Sequence, residues 1–151
     1  MKKTIITISR EFGSGGHFIG EEVAKRMNIP YYDKDIIFQI AEKTGYSESF
    51  IQEQSEYAPS KNLFAYAFVG RDRTGSSLSD QVYAAQTQVI RDLAQKGSCV
   101  IIGRCADYIL KDDPDAYHIF ICGNESEKIA RTQKLFDLSE KEARNMNQDM
   151  D

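Results

Sequence analysis

Apolar residues alternate through Thr4 to Ile8, around Ile5, Ile6 and Ile8, and predict a buried first strand. The spacing then becomes helical. Ile19, Val23 and Met27 share a face, with Gly20 and Ala24 beside them, so a helix is expected from Gly15 to Asn28. Asn28-Ile29-Pro30 ends it, and Ile29 to Tyr32 reads as a short second strand. Asp35 to Lys43 resumes the helical pattern through Ile36, Ile37, Ile40 and Ala41, and Gly45 closes it. Residues 46–77 are the least regular stretch. Ser47 to Ser55 suggests a short helix, and Gly70 to Ser77 is polar. The aromatic run Phe64, Tyr66 and Phe68 suits core or interface better than a base-stacking surface. Leu78 to Lys96 is the clearest helix: Leu78, Val82, Ala85, Val89 and Leu93 recur at spacings of four, three, four and four.

The remaining pattern repeats the alternation. Cys99 to Ile102 and His118 to Cys122 read as buried strands, which makes His118 a core histidine. Ala106 to Leu110 is a helical turn or two. Asn124 to Phe136 is a helix capped by Asn124 with Glu127 three residues on. Ser139-Glu140-Lys141-Glu142 is a capping box for a last helix carrying Ala143, Met146 and Met150. Strands alternating with helices predict a parallel sheet covered on both faces, with a ligand at the strands' carboxyl ends. Those ends carry Arg10, Asp33, Arg104 and Gly123-Asn124.

Composition narrows the class. A chain of 151 residues suits a single domain, 1–151, with a real core. A net charge of −4 argues against a general nucleic-acid binder, which needs a basic face. Three cysteines without a CxxC pair favour reduced thiols over a disulfide frame or zinc site. Thr4 to Ile8 is too short for a signal-peptide core, and no run approaches the roughly 18 apolar residues of a membrane span. A cytoplasmic protein without a membrane partner is expected. No Ser-His-Asp or metal-ligand spacing appears.

The distinctive chemistry lies at the first turn. Gly13, Ser14, Gly15 and Gly16 stand between a buried strand and a helix, an arrangement that aims backbone N–H groups and a helix N-terminus at a phosphate. The P-loop pattern GxxxxGK[ST] is not met: aligned on Gly15, its lysine becomes Gly16 and its hydroxyl residue becomes His17. A dinucleotide fingerprint is half met. Gly13-x-Gly15 opens it and Asp33 follows 20 residues after Gly13, but Phe18 replaces the third glycine. About 65 residues separate Tyr32 from Cys99. Such an insertion suits a kinase holding a second substrate, and arginines at strand ends suit the spread negative charge of phosphoryl transfer. Arg10 and His17 are candidates to replace the missing lysine's charge, with an exposed surface Arg and His as the plain alternative.

The stretches ITISREFGSGGHFIGEEVAKRM, PYYDKDII and CVIIGRCADYIL together resemble the cytidylate kinase-like family of P-loop nucleoside monophosphate kinases. The resemblance implies a three-layer α/β/α fold with a parallel sheet of order 2-3-1-4-5, the last strand being expected to lie beyond this chain. It implies MgATP-dependent phosphorylation of a nucleoside monophosphate or a similar small phosphate acceptor, with ATP and Mg2+ as cofactors. Gly13, Ser14, Gly15, Gly16 and His17 would hold the nucleotide phosphates. Asp33 would be the monophosphate-side aspartate and Gly103-Arg104 the Gly-Arg of a Gly-Arg-Asp motif, in which Cys105 replaces the aspartate. Arg131 falls where the family carries a lid arginine, although Lys128 and Lys134 on the same helix also allow a merely solvated basic face. Arg71 and Arg73, inside an acceptor-binding insertion at about 34–77, are candidates to close over the acceptor. Catalytic roles are expected for Arg10, Asp33 and Arg131. Two other readings stay open: a nucleotide-binding module without turnover, suggested by Gly16, His17 and Cys105, and an NAD(P)-dependent oxidoreductase. If the sheet ends at its fourth strand, that open edge predicts a homodimer.

Overall fold

Strand β1 (Ile5–Arg10) carries the chain from the core to the site in six residues, buried at its start and exposed by Arg10. The computed structural model describes residues 2–51 and 78–151. After β1 come α1 (Gly16–Met27), β2 (Tyr31–Tyr32), α2 (Lys34–Thr44) and α3 (Leu78–Lys96). Then follow β3 (Cys99–Ile102), the short α4 (Ala106–Ile109), β4 (Ala116–Ile121), α5 (Glu125–Phe136) and α6 (Glu140–Met150). The chain divides into two compact units, Met1–Tyr31 with Gly97–Asp151, and Tyr32–Lys96.

The first unit is built on a parallel sheet of order β2-β3-β1-β4. β1 pairs with β3 from Ile5↔Cys99 to Ile8↔Ile102, and with β4 from Ile5↔Ala116 to Arg10↔Ile121. Each strand's alternation sorts side chains onto two faces. Ile6, Ile8, Val100 and Ile102 pack with Ala24 of α1, bordered by Val23, Ile29, Tyr31 and Ile121. Ile5, Thr7, Cys99 and Ile101 take the alternate positions and are at most 1% exposed. Burying each such isoleucine contributes about 1.5–3 kcal/mol. Helix α1 stops at Asn28, which adopts a left-handed conformation (φ 53°) and donates its N–H to the Ala24 and Lys25 carbonyls. Lys25 and Arg26 in its last turn oppose the partial negative charge there.

The second unit pairs α2 with α3. Ile36, Ile37 and Ile40 on α2, and Val82, Val89, Ile90, Leu93 and Ala94 on α3, are buried, as is Ile51 in the helical stretch 48–51. Lys43 bonds Asp92 at 3.0 Å and the Tyr46 hydroxyl donates to Gln81 Oε1 at 3.1 Å. The bond from Lys43, and after it one from Gln88 Nε2 at 2.7 Å, hold the Asp92 carboxyl below its ordinary range.

Three expectations are corrected. β4 is a strand, but not a buried one: Tyr117, His118, Ile119 and Phe120 are all exposed. An apolar run specifies a strand without saying whether anything covers it, and β4 closes the sheet's order among the described residues. His118 is accordingly no core histidine; its Nδ1 lies 2.7 Å from the hydroxyl of buried Thr7, its register partner on β1. Asn124 holds the N-cap position of α5 without a side-chain bond to the helix, whereas the Ser139–Glu142 capping box of α6 forms in full. The helix expected over Ser47 to Ser55 is seen at 48–51; its remainder and the run Phe64, Tyr66 and Phe68 lie outside the described residues.

Candidate functional site

The turn after β1 is shaped by glycine conformations and by what approaches them. Gly13 (φ 73°) and Gly15 (φ 86°) both adopt the left-handed region, which costs glycine little and other residues more. Glu11 N–H donates to the Ile121 carbonyl at 2.9 Å, and Ser14 N–H to the Glu11 carbonyl at 3.2 Å, closing the turn between β1 and β4. Helix α1 then begins at Gly16 with Gly15 as its N-cap, and neither a side-chain cap nor an acidic residue neutralises its first turn. The first N–H groups of a helix lack intrahelical partners and carry partial positive charge, so this end is chemically suited to an anion.

Side chains from three elements converge on that turn. The Arg10 stem lies under Gly16, where an added Cβ would stand 2.6 Å from Arg10 Cβ, and its Nη1 would be 2.8 Å from a Cβ on Gly103. Arg10 thus spans from the glycine loop to the end of β3. From α5, Arg131 donates to the Gly13 carbonyl, and its guanidinium would be 3.3 Å from a Cβ on Gly15. Lys128, one helical turn earlier, is 3.1 Å from Glu11 Oε2 and 3.0 Å from Asp151 Oδ2. Glu11 Oε2 also accepts the Gly123 N–H at 3.2 Å. Within the loop, Ser14 is 7% exposed and its hydroxyl has no hydrogen-bond partner. A buried hydroxyl without a partner is costly, and a ligand oxygen would satisfy it.

The expected site residues are therefore distributed unevenly. The structure gathers Arg10, Gly13, Ser14, Gly15, Gly16 and Arg131. Gly103 joins them through Arg10, with Arg104 following it in a left-handed conformation (φ 57°) and half-buried. His17 stands in the first turn of α1, exposed, with Nδ1 2.8 Å from the Tyr31 hydroxyl and its ring edge-on to Tyr31. Asp33 belongs to the second unit, at the N-cap position of α2, and its side chain makes no capping bond to that helix. Arg71 and Arg73 lie outside the described residues. Sequence reasoning passed over Glu11 and Asp151 and left Lys128 on a solvated face. The available signal was the three-residue step from Lys128 to Arg131, which puts both on one side of α5. Among the described residues, no three His, Cys, Asp or Glu side chains gather as a metal site. The loop fits a nucleotide's phosphates through its N–H groups, the Ser14 hydroxyl and the flanking cations; magnesium would come with the nucleotide.

Among the described residues, no helix is long and apolar enough to cross a membrane. No curated protein matches the sequence. Among solved structures, an uncharacterized protein from Eubacterium ventriosum is 32% identical with a TM-score of 0.70, over 99% of this chain and 74% of its own. A shikimate kinase from Bacteroides thetaiotaomicron is 16% identical with a TM-score of 0.56, over 99% of this chain and 77% of its own. A Thermus thermophilus protein is 16% identical with a TM-score of 0.53, over 95% and 78%. The last two share the α/β fold. The model of the cytidylate kinase-like family matches residues 5–151, and the chain belongs to that family.

Proposed function

We propose that this chain transfers a phosphoryl group from ATP to a nucleoside monophosphate, cytidylate-like, or to a similar small phosphate acceptor. Membership of the cytidylate kinase-like family supports a nucleotide-dependent phosphotransferase in general. The observation that carries the finer reading is the convergence of Arg10 and Arg131 on a glycine loop that holds a buried, unpartnered Ser14 hydroxyl. In this reading Gly13, Ser14, Gly15, Gly16 and His17 bind the ATP phosphates through backbone N–H groups and the Ser14 hydroxyl. Arg10 and Arg131 stabilise the charge that spreads over the transferred group, the main task of a protein in phosphoryl transfer. Asp33 and Arg104 address the acceptor, with Arg71 and Arg73 closing over it from the insertion at about 34–77. The protein acts in the cytoplasm as a single kinase domain. A second copy pairing along the exposed β4 edge, which carries no formal charge from Ala116 to Ile121, is the partner this reading expects.

Gly16 and His17, standing where a lysine and a hydroxyl are usual, favour a second reading: nucleotide binding without turnover. An ATP-dependent assay over CMP, dCMP, UMP and AMP separates the two. Product with one acceptor, and at least a tenfold loss in Arg10→Ala, is the expected result (roughly the worth of one positioned charge). Binding of ATP without product for any acceptor supports the module. Binding of NAD(P) in place of ATP overturns both.

A further inference from the structure

We propose that the Asp151 carboxylate fills an anion subsite formed by the Phe12 N–H and the Lys128 ammonium, and that a phosphate group entering the glycine loop takes its place. The proposal rests on the phosphate-binding reading of the loop and assigns that loop an internal competitor. Asp151 Oδ1 accepts the Phe12 N–H at 2.5 Å, while Oδ2 lies 3.0 Å from Lys128 Nζ. One carboxylate therefore divides its two oxygens between a backbone donor and a cation. Two oxygens of a phosphate make the same demand, and charge-assisted bonds of this kind are the stronger class of hydrogen bond.

Frame and occupant differ in how firmly they are held. Lys128 is the less exposed partner, with its side chain 12% exposed. Glu11 is fixed by its own N–H on Ile121, by the Ser14 N–H on its carbonyl and by the Gly123 N–H on its carboxylate. Gly123 ties the pair to the loop: a Cβ there would meet Lys128 Cγ at 3.2 Å and Ser14 Cα at 3.6 Å. Asp151, by contrast, adjoins α6 (Glu140–Met150). That helix is anchored elsewhere, by the Ser139–Glu142 capping box and by the buried bond from Thr132 Oγ1 to Asn147 Oδ1, 2.7 Å. The Asp151 side chain is 30% exposed, so it can exchange its two contacts for water without unfolding α6.

The charges give the exchange its direction. With Asp151 seated, Lys128 faces two carboxylates, Glu11 and Asp151, while Arg131 is on the Gly13 carbonyl. With Asp151 withdrawn, Lys128 faces Glu11 alone beside the uncapped N-terminus of α1, and the cradle attracts an anion. Affinity for a phosphate is then lowered in the wild type by the fraction of molecules in which Asp151 holds the subsite.

Inorganic tripolyphosphate and ATP, titrated calorimetrically into the full chain, test this. Asp151→Asn keeps the side chain's shape and loses its charge, and is expected to tighten both ligands about fivefold, the worth of one partly exposed charge pair. Asp151→Ala is expected to tighten them at least as much. Lys128→Gln is expected to weaken both, and in the double variant Lys128→Gln, Asp151→Asn the gain disappears. The Phe12 amide resonance should shift both in Asp151→Asn and when tripolyphosphate binds the wild type. Wild-type affinity in both Asp151 variants, with ATP still bound, overturns the internal competitor and leaves the proposed function standing. Absence of binding in wild type and both Asp151 variants overturns the two together.

Discussion

β3 and β4 flank the same strand, run parallel to it and are similarly apolar, yet one is interior and the other surface. Cys99, Val100, Ile101 and Ile102 are at most 1% exposed, whereas Tyr117, Ile119 and Phe120 are 55%, 43% and 64% exposed. β3 lies between β2 and β1, while among the described residues β4 has β1 on one side only. The lesson is that hydrophobicity selects the strand conformation, and position in the sheet decides what that hydrophobicity contributes. A buried side chain loses both transfer energy and packing when cut back; an exposed one loses little of either.

The largest test of this contrast is a matched pair of truncations. Ile101→Ala is expected to cost about 3 kcal/mol of unfolding free energy, within the usual range for a buried isoleucine, and Ile119→Ala less than about 1 kcal/mol. Equal costs in urea denaturation would mean that β4 is covered in solution.

Cysteine labelling makes the same comparison without mutation. Burial pushes the Cys99 thiol on β3 up to about 11, against a smaller opposing pull from Lys3, while Cys122 after β4 is exposed. At pH 8 only about one Cys99 in a thousand would be thiolate, and the reagent must also reach it. Cys122 should therefore react promptly and Cys99 only on unfolding. Rapid labelling of Cys99 in the native protein would contradict the buried β3.

A finer test addresses how the exposed strand is tied to the interior. Thr7→Val removes the hydroxyl that meets His118 Nδ1 and should cost about 1 kcal/mol, the usual net worth of such a bond. An unchanged unfolding midpoint would mean that backbone pairing alone holds β4.

A last comparison concerns the helices beyond β4, where one cap forms and the other does not. Ser139→Ala should cost about 1 kcal/mol, whereas Asn124→Ala, lacking a side-chain bond to lose, should cost markedly less. Hydrogen bonds from the Ser139 hydroxyl and then its N–H hold the Glu142 carboxyl below its ordinary 4.5. This contribution is fully present above about that pH and is lost as pH falls through the lowered value, because the unfolded carboxyl takes up its proton first. Ser139→Ala should flatten stability over that acidic window. The same acid sensitivity with and without Ser139 would remove the capping box as its source.

Much of the fold was legible because its signals are local. The alternation around Ile5, Ile6 and Ile8 and the four-three-four-four spacing from Leu78 to Leu93 report strand and helix directly. The glycine run, met between a strand and a helix, marked the anion-suited turn, since left-handed residues such as Gly13 and Gly15 are costly for other side chains. Asp33 and His17 were legible as candidates, but their roles were not, because a carboxylate or imidazole acquires a role only from its neighbours.

The sequence by itself determined the alternation of strands and helices, the α/β class and the position of the glycine loop. Each follows from the backbone preferences and apolar spacing of residues close together in the chain. Only the tertiary structure decided that β4 is exposed, that Lys128 and Arg131 turn onto the loop, and that Asp151, 139 residues beyond Phe12, accepts its N–H. Those outcomes depend on pairing and packing between distant segments. Local spacing along the chain carries no record of them.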